Sequence, residues 1–481
     1  MNFNMIRYLL FRVVQITGLL MILPLVVAFI YKEYFCAEVF GIIIAACLII
    51  GFAGGYKKPK NQAIYAREGF VVTALTWITI SLIGALPFQL TGVTKSYVDA
   101  LFETISGLTT TGSTILSDVE MYYSVQFWRC FTHWIGGMGV LVFILAIMPM
   151  AGGYSMHIMR AESPGPSVGK FVPKVRETAK ILYSIYFGIT ILQTVCLLFT
   201  GLNAYEALTA TFATVGTGGF GINNAGIGGF GYASQVVITV FMIICGINFS
   251  VYYYLITKRP KEAFNNDEVK LYLALMFGSA TLIAFMIYKQ GATATPLESF
   301  HHSLFTVASV MTTTGFATLD FNTWPQLART LLACLMLTGA CAGSTGGGFK
   351  LSRFLILIRA MKNELTYIVH PKSVKKVYMD GNPVDQSVVK SVSAYLSMYV
   401  VIFILSTLLI SIDEFDYETN FTAVAATLNN IGPGLSMVGP TGNFGAYSDL
   451  SKFVLMFDML AGRLELLPML ILFSPKNWTK R

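Results

Sequence analysis

"TISGLTTTGSTI" (residues 104–115) has a near copy, "TVASVMTTTGFAT" (306–318), and both lie between long apolar stretches. Polar residues are costly at membrane depth and concentrate where function needs them. The chain around these phrases is that apolar. Of its 481 residues, 55% are hydrophobic and 12% charged, and mean hydropathy is +0.64. A soluble domain is roughly 25% charged. Runs of roughly 20 apolar residues, enough to cross a bilayer as a helix, recur along the sequence. The composition therefore excludes a soluble enzyme and indicates a polytopic membrane protein. The formal charge of +8 belongs to loops and is no sign of nucleic-acid affinity.

Ten spanning segments are expected, near 9–31, 37–55, 69–91, 127–150, 179–201, 234–257, 268–290, 328–360, 389–412 and 450–474. With the N-terminus in the cytoplasm, one side carries Arg7 and Arg12, then Lys57, Lys58, Lys60 and Arg67, then Arg160, Lys170, Lys174 and Arg176. The same side goes on to carry Lys258, Arg259 and Lys261, then Lys362, Lys372, Lys375 and Lys376, and last Lys476, Lys480 and Arg481. The opposite loops are poor in Lys and Arg, so one orientation satisfies the positive-inside rule throughout, with both termini cytoplasmic. The first apolar run is too long for a signal-peptide core and reads as a retained span. The seven cysteines lack metal-ligand or CxxC spacing and read as small buried hydrophobes.

Each outer connection after spans three, five, seven and nine repeats one order: about a dozen semi-apolar residues, then a Gly/Thr phrase, then the next span. The four are "DALFETISGLTTTGST" (99–114), "YEALTATFATVGTGGFG" (205–221), "FHHSLFTVASVMTTTGFAT" (300–318) and "TNFTAVAATLNNIGPGLS" (419–436). Their aligned glycines, Gly112, Gly219, Gly315 and Gly432, are 107, 96 and 117 residues apart by subtraction. This is the signature of internal repeats. The expected organisation is two N-terminal transmembrane helices (1–66), then repeats at 67–160, 161–262, 263–370 and 371–481, the third with a broken second helix. The fold class is all-α integral membrane protein: four tandem helix–pore-loop–helix repeats around a pseudo-fourfold axis, plus two N-terminal transmembrane helices.

A dozen helical residues cannot cross a bilayer, but they can enter and return if their backbone lines water or protein. Four such segments facing one axis would offer backbone carbonyls in place of the hydration shell of a cation. Glycine permits the required backbone angles and close approach. Each preceding half-helix would aim its partially negative C-terminal end at the centre. Asp99, Glu206, Glu298 and Glu418, near the outer starts of these helices, suit both the positive dipole end and a cation-attracting mouth.

With "SGLTTTGST", "FTHWIGGMGVLVFILAIMPM", "TTTGF", "LNNIGPGL" and "MLAGRLELLPML", the whole chain resembles the membrane subunit of bacterial Trk-type potassium uptake systems, in the superfamily with Ktr and plant HKT transporters. The resemblance implies a potassium-selective path with one filter segment per repeat. Carried over, these are Thr110, Thr111 and Gly112; Thr217, Gly218 and Gly219; Thr313, Thr314 and Gly315; and Asn430, Ile431 and Gly432. A serine at the first of these glycines goes with sodium transport in the plant relatives, so Gly112 favours potassium. "LNNIG" aligns with "LTTTG" through Leu428 and Leu108, whereas a shift of two residues would place Gly434 in the filter instead.

The eighth span is interrupted by "TGACAGSTGGGFK" (338–350), whose five glycines each cost a helix about 1 kcal/mol relative to alanine. Small residues there suit close helix packing. The family reading makes the run an intramembrane gate comprising Gly343, Ser344, Thr345, Gly346, Gly347, Gly348 and Lys350, with Arg463 reaching it from the last span. Arg463 and Glu465 are two apart and would point different ways on a helix, so they are not expected to pair. Arg129 and His133, at the start of the fourth span, read as interfacial or packing residues. The family further implies potassium as transported ligand with no cofactor in this chain. It also implies a homodimer, membrane lipid around it, and a cytoplasmic nucleotide-binding regulatory subunit (TrkA-like), all in the bacterial cytoplasmic membrane.

Other classes are weaker. "GTGGFG" (216–221) lacks the βαβ setting of a dinucleotide site, and in "GSTGGGFK" Phe349 spoils the phosphate-loop pattern. A Ser344/His133 hydrolytic dyad has nothing to orient its histidine. The serious rivals are a sodium-selective or sodium/proton-coupled relative, and a coupled solute permease, whose breaks would fall in paired midplane helices rather than in four outer loops.

Overall fold

The structure is a computed structural model that describes residues 1–62, 64–139, 175–373 and 375–475. The regular elements of the described chain are helices, apart from a short antiparallel ladder of Tyr378–Met379 against Asn382–Pro383. Helices α1 (Phe3–Leu20) and α2 (Ile22–Ile30) make one apolar run, and α3 (Tyr34–Gly55) returns beside it. A side chain at Gly18 would press into Cys47, and one at Gly51 into Gln15. Small residues thus let these two helices approach closely, as membrane helices commonly do.

Four units of common plan follow. In the first, α4 (Ala66–Gly84) and the short α5 (Leu86–Leu90) run in, α6 (Tyr97–Leu108) is the half-helix and α7 (Tyr123–Gly137) leads out. The second has α8 (Val175–Phe199), α9 (Ala204–Val215), α10 (Tyr232–Gly246), α11 (Phe249–Ile256) and α12 (Pro260–Phe264). The third has α13 (Asp267–Gln290), α14 (Pro296–Met311), α15 (Gln326–Met336) and α16 (Leu351–Val369). The fourth has α17 (Gln386–Ile410), α18 (Tyr417–Leu428), α19 (Asp449–Arg463) and α20 (Leu466–Leu472).

The half-helices α6, α9, α14 and α18 begin alike because each has a side-chain N-cap. Ser96, Asn203, Thr295 and Asp416 accept from the amides of Asp99, Glu206, Glu298 and Thr419. Such a cap satisfies a backbone donor that a helix start leaves open.

One expectation needs correcting. The sequence marks a break only in the eighth span, yet every outgoing helix stops early, after 15, 15, 11 and 15 residues in α7, α10, α15 and α19. Helices α10 and α11 meet at 91°, where Asn248 caps the second piece through Ser250 N. Between α19 and α20, Glu465 adopts φ +65°, a conformation that ends a right-handed helix. By length and composition, six described helices are long enough to cross a membrane, or seven counting the bent pair. Residues 140–150, Arg160, Lys170, Lys174, Lys476, Lys480 and Arg481 lie outside the described residues, as does the side chain of Arg176.

The N-terminal helices are tied to the first unit by Glu33. Its carboxylate accepts from Tyr123 N (2.6 Å), Ser124 N (3.0 Å) and Ser124 Oγ (2.6 Å), capping α7. Tyr31 stacks on Tyr123 with ring centroids 4.1 Å apart. Glu33→Ala should cost about 1 kcal/mol, the usual loss of a helix cap, read as a lowered thermal unfolding midpoint in detergent. The exposed Glu38→Ala should leave that midpoint in place.

Candidate functional site

The four half-helices end in the same way. At the C-terminus of α6, Thr110 N donates to Gly107 O (3.1 Å) and Thr111 N to Ser106 O (2.8 Å). The pattern repeats as Thr217 to Thr214 and Gly218 to Ala213, then Thr313 to Val310 and Thr314 to Ser309, then Asn430 to Thr427 and Ile431 to Ala426. This is the Schellman closure, which requires a left-handed residue just past the helix. Glycine usually takes that place. Here it is Thr110 (φ 56°), Thr217 (54°), Thr313 (58°) and Asn430 (54°). Three β-branched residues in the left-handed region are outliers, and strain of this kind gathers at functional sites.

Two residues on, Gly112 (φ 79°), Gly219 (81°), Gly315 (87°) and Gly432 (102°) are left-handed as well. They close a ring. A Cβ at Gly112 would land on Gly218 O, one at Gly219 on Thr314 O, one at Gly315 on Ile431 O, and one at Gly432 would lie 2.8 Å from Thr111 O. Each glycine thus meets the carbonyl of the residue just before the next unit's glycine, and the fourth returns to the first. Gly434 is absent from the left-handed residues and faces Thr422 and Val438, so the backbone register of the fourth unit runs through Gly432. Above the ring, all four glycines line one cavity of about 330 Å³.

Cross-links between units hold the ring. Ser113 Oγ donates to Gly432 O (2.9 Å) and Asn430 Nδ2 to Thr111 Oγ1 (2.9 Å), while within the fourth unit Asn430 Nδ2 also donates to Met459 O (2.9 Å). The fourth residues of the outgoing helices do similar work at equivalent places. Arg329 on α15 pairs with Glu418 of the fourth unit (2.5 Å), and Lys452 on α19 pairs with Asp99 of the first (2.6 Å). Gln235 on α10 meets His301 of the third unit (2.8 Å), and Gln126 on α7 donates to Gly221 O of the second (2.8 Å). Glu206 Oε2 accepts from Asn203 N, and Glu298 Oε2 from Ala294 N. The four acidic residues are therefore engaged in caps and ion pairs rather than standing free at a mouth.

Arg129 and His133 are not interfacial. Both are buried, on one face of α7. Arg129 pairs with Glu103 (2.6 Å), donates to Gly221 O (2.9 Å) and lies over the Phe220 ring (3.6 Å). Glu103 also accepts from Thr114 Oγ1 and Ile115 N. Gly107 O can only accept from His133 Nδ1 (2.7 Å), and Phe220 N can only donate to Nε2 (3.2 Å). The imidazole is thus the neutral Nδ1–H tautomer, with both nitrogens occupied, which rules out its acting as base for Ser344. Of the two roles expected from the sequence, interfacial or packing, the second holds, though the partners were not foreseen. The trace of this pair is the polar stripe Gln126, Arg129, Cys130, His133, whose spacing of three and four puts all of them on one helix face.

Below the ring lies loop 338–350. Gly347 N donates to Thr313 Oγ1 (2.6 Å). A Cβ at Gly346 would lie 2.8 Å from Thr312 O, and one at Gly347 2.6 Å from Asn429 O. Lys350 is fully buried and curls back onto Gly346 O. Glu268 on α13 accepts from Ala342 N (2.8 Å), within the loop, and from Ser352 N (2.7 Å), just beyond it. Arg463 donates to Thr345 O (2.8 Å), Gly136 O and Gly137 O. Gly343 O accepts from Phe249 N, and Ser344 Oγ donates to Cys341 O. Glu465 pairs with Arg353. Gly348 (φ 80°) supplies the last turn of the glycine run before Phe349.

Four strained re-entrant segments closing on one axis, with a loop packed beneath, define a helical membrane protein of the transport class. The family model described as "TrkH: Cation transport protein" matches residues 37–480. The Trk system potassium uptake protein TrkH of Escherichia coli K12 is 34% identical over 479 residues, covering 97% of this chain and 99% of its own length. TrkG of the same organism is 32% identical, with 97% and 96% covered. The crystal structure of the potassium transporter TrkH from Vibrio parahaemolyticus superposes with a TM-score of 0.89 at 31% identity, covering all of both chains. This chain belongs to the TrkH family of cation transport proteins.

The ring makes a local prediction. Gly219→Ala places a left-handed Cβ onto a carbonyl and should cost more than about 2 kcal/mol. At Gly221, two residues away, the nearest atom to an added Cβ is Gly226 Cα at 3.5 Å. Gly221→Ala should stay within about 0.5 kcal/mol of the parent, with unfolding midpoints in detergent reporting both.

Proposed function

We propose that the chain takes up potassium across the bacterial cytoplasmic membrane through a filter made by its four re-entrant segments. The observation that carries this reading is the ring, with one left-handed pair per unit and each glycine against the next unit's carbonyl. The backbone carbonyls of Thr110 to Gly112, Thr217 to Gly219, Thr313 to Gly315 and Asn430 to Gly432 replace the hydration shell of the ion. No side chain intrudes at the glycines, and the C-terminal ends of α6, α9, α14 and α18 add negative potential. His133, Arg129 and Glu103 act as positioning residues, holding the first and second segments at a fixed separation.

Loop 338–350 is the gate, and Arg463 braces it closed through Thr345 O while anchored on Gly136 O and Gly137 O. Potassium as cargo comes from the names of the relatives, which are potassium uptake proteins. The basic loops support cytoplasmic termini. Those loops, with the exposed part of α16, offer a docking place for a nucleotide-binding regulatory subunit, and the chain works as a homodimer.

The test is rubidium uptake into proteoliposomes holding the purified chain, for the parent, Gly112→Ser, and Arg463→Ala to release the gate. Uptake should be blocked by potassium and not by sodium, and should be faster in Arg463→Ala. The serine should weaken the preference roughly tenfold, about 1.4 kcal/mol. Uptake indifferent to both ions, with the gate released, would refute the filter.

A further inference from the structure

The four left-handed residues carry side-chain oxygens at equivalent places, and these oxygens are not equally free. Among the described residues, Thr110 Oγ1 and Asn430 Oδ1 are buried without a hydrogen-bond partner. Thr217 Oγ1 gives its proton to Gly216 O and keeps its lone pairs. Thr313 Oγ1 alone is occupied from below, accepting from Gly347 N at 2.6 Å. Other buried oxygens also lack a partner among the described residues, at Ser106, Ser303 and Thr306 for example. These two are set apart because both belong to the left-handed residues that close the half-helices, and a buried oxygen without a donor is costly. On the re-entrant segments proposed to line a path for cations, they are suited to coordinate a dehydrated cation.

The loop reaches the ring only because it lacks side chains. Gly346 lies against Thr312 O, Gly347 against Asn429 O and the Asn430 side chain, and Gly348 faces the Thr313 methyl at a looser distance. Three glycines in succession thus wedge the backbone between the third and fourth segments. Of the contacts made by Gly346 to Gly348 with these segments, the amide of Gly347 supplies the polar one, and it uses an oxygen of the ring itself.

We propose that the gate is latched onto the filter. In this account Thr110, Thr217, Thr313 and Asn430 form an inner ring of side-chain oxygens for a dehydrated monovalent cation. While the loop is closed, Gly347 N–H takes one of the two lone pairs of Thr313 Oγ1 and sets its partly positive hydrogen against that member of the ring. Loop closure and occupancy of the inner site therefore compete, and an ion completing its oxygen shell withdraws Thr313 from the loop. The opposite holds by reciprocity, since a ligand that favours one of two states must be bound better by it. The inference rests on the filter reading above and assigns the regulation of that same site.

The test is hydrogen–deuterium exchange of peptides covering 340–350 in the full chain, in nanodiscs, with potassium or with N-methylglucamine. Thermal protection by potassium over N-methylglucamine is measured in parallel. In the parent, potassium should speed loop exchange. In Thr313→Val exchange should be fast already, by roughly three- to tenfold, as expected for one lost hydrogen bond, and indifferent to potassium. Thr313→Ser, which keeps the hydroxyl, should behave as the parent. Potassium protection with loop exchange unchanged by the ion in the parent would overturn the latch, without recourse to any variant. Valine exchange at the parent rate would overturn it too. No protection by potassium in any form would instead sink the filter reading, and the latch with it.

Discussion

Four chain reversals end half-length helices inside an apolar protein, and their backbone groups have no water to turn to. Irregular backbone at membrane depth survives only where protein or a water-lined path satisfies it. The structure meets this constraint four times with one device. A Schellman closure recovers two carbonyls, a strained left-handed residue turns the chain, and a glycine lets the next unit's carbonyl come close. The other buried polar contacts follow from it. Arg129, His133 and Glu103 hold the first two segments, and Ser113 and Asn430 join the first to the fourth.

The same constraint accounts for the broken outgoing helices. Carbonyls freed at Gly136, Gly137, Cys245 and Gly246 become acceptors for Arg463, Thr345 and Cys341. A continuous helix would have kept those carbonyls for itself. Breaking the helices thus creates the sites onto which loop 338–350 is tied. Glu268 ties Ala342 and Ser352 to α13, and the stretch between them is held by contacts to Arg463, Thr313 and Lys350.

Much of this was legible in the sequence, for a physical reason. Gly112, Gly219 and Gly315 end phrases whose threonines and glycines have no other use in an apolar run, so their repetition betrayed the architecture. Gly432 was harder, because "NNIGPG" offers two glycines; the backbone angles that separate it from Gly434 are set by the neighbouring units. The breaks at Ile247 and Leu464 left no run of glycines and escaped notice. Each is stabilised by a partner distant in sequence, Gly343 for Phe249 N and Arg353 for Glu465. Arg129 and His133 sat near a span end, where interfacial and packing roles both stayed open; they pack, and nothing local reveals that Glu103 and Gly107 face them.

On the proposed reading, the ring of four glycines and their neighbouring carbonyls holds a dehydrated cation. The most direct measurement is anomalous scattering from crystals of the protein grown in rubidium, compared with crystals grown in sodium. The account predicts rubidium density on the axis, between the levels of Thr110 and Gly112, reduced or lost in Gly112→Ser. An empty axis in rubidium, with ordered density for the four segments, would contradict it.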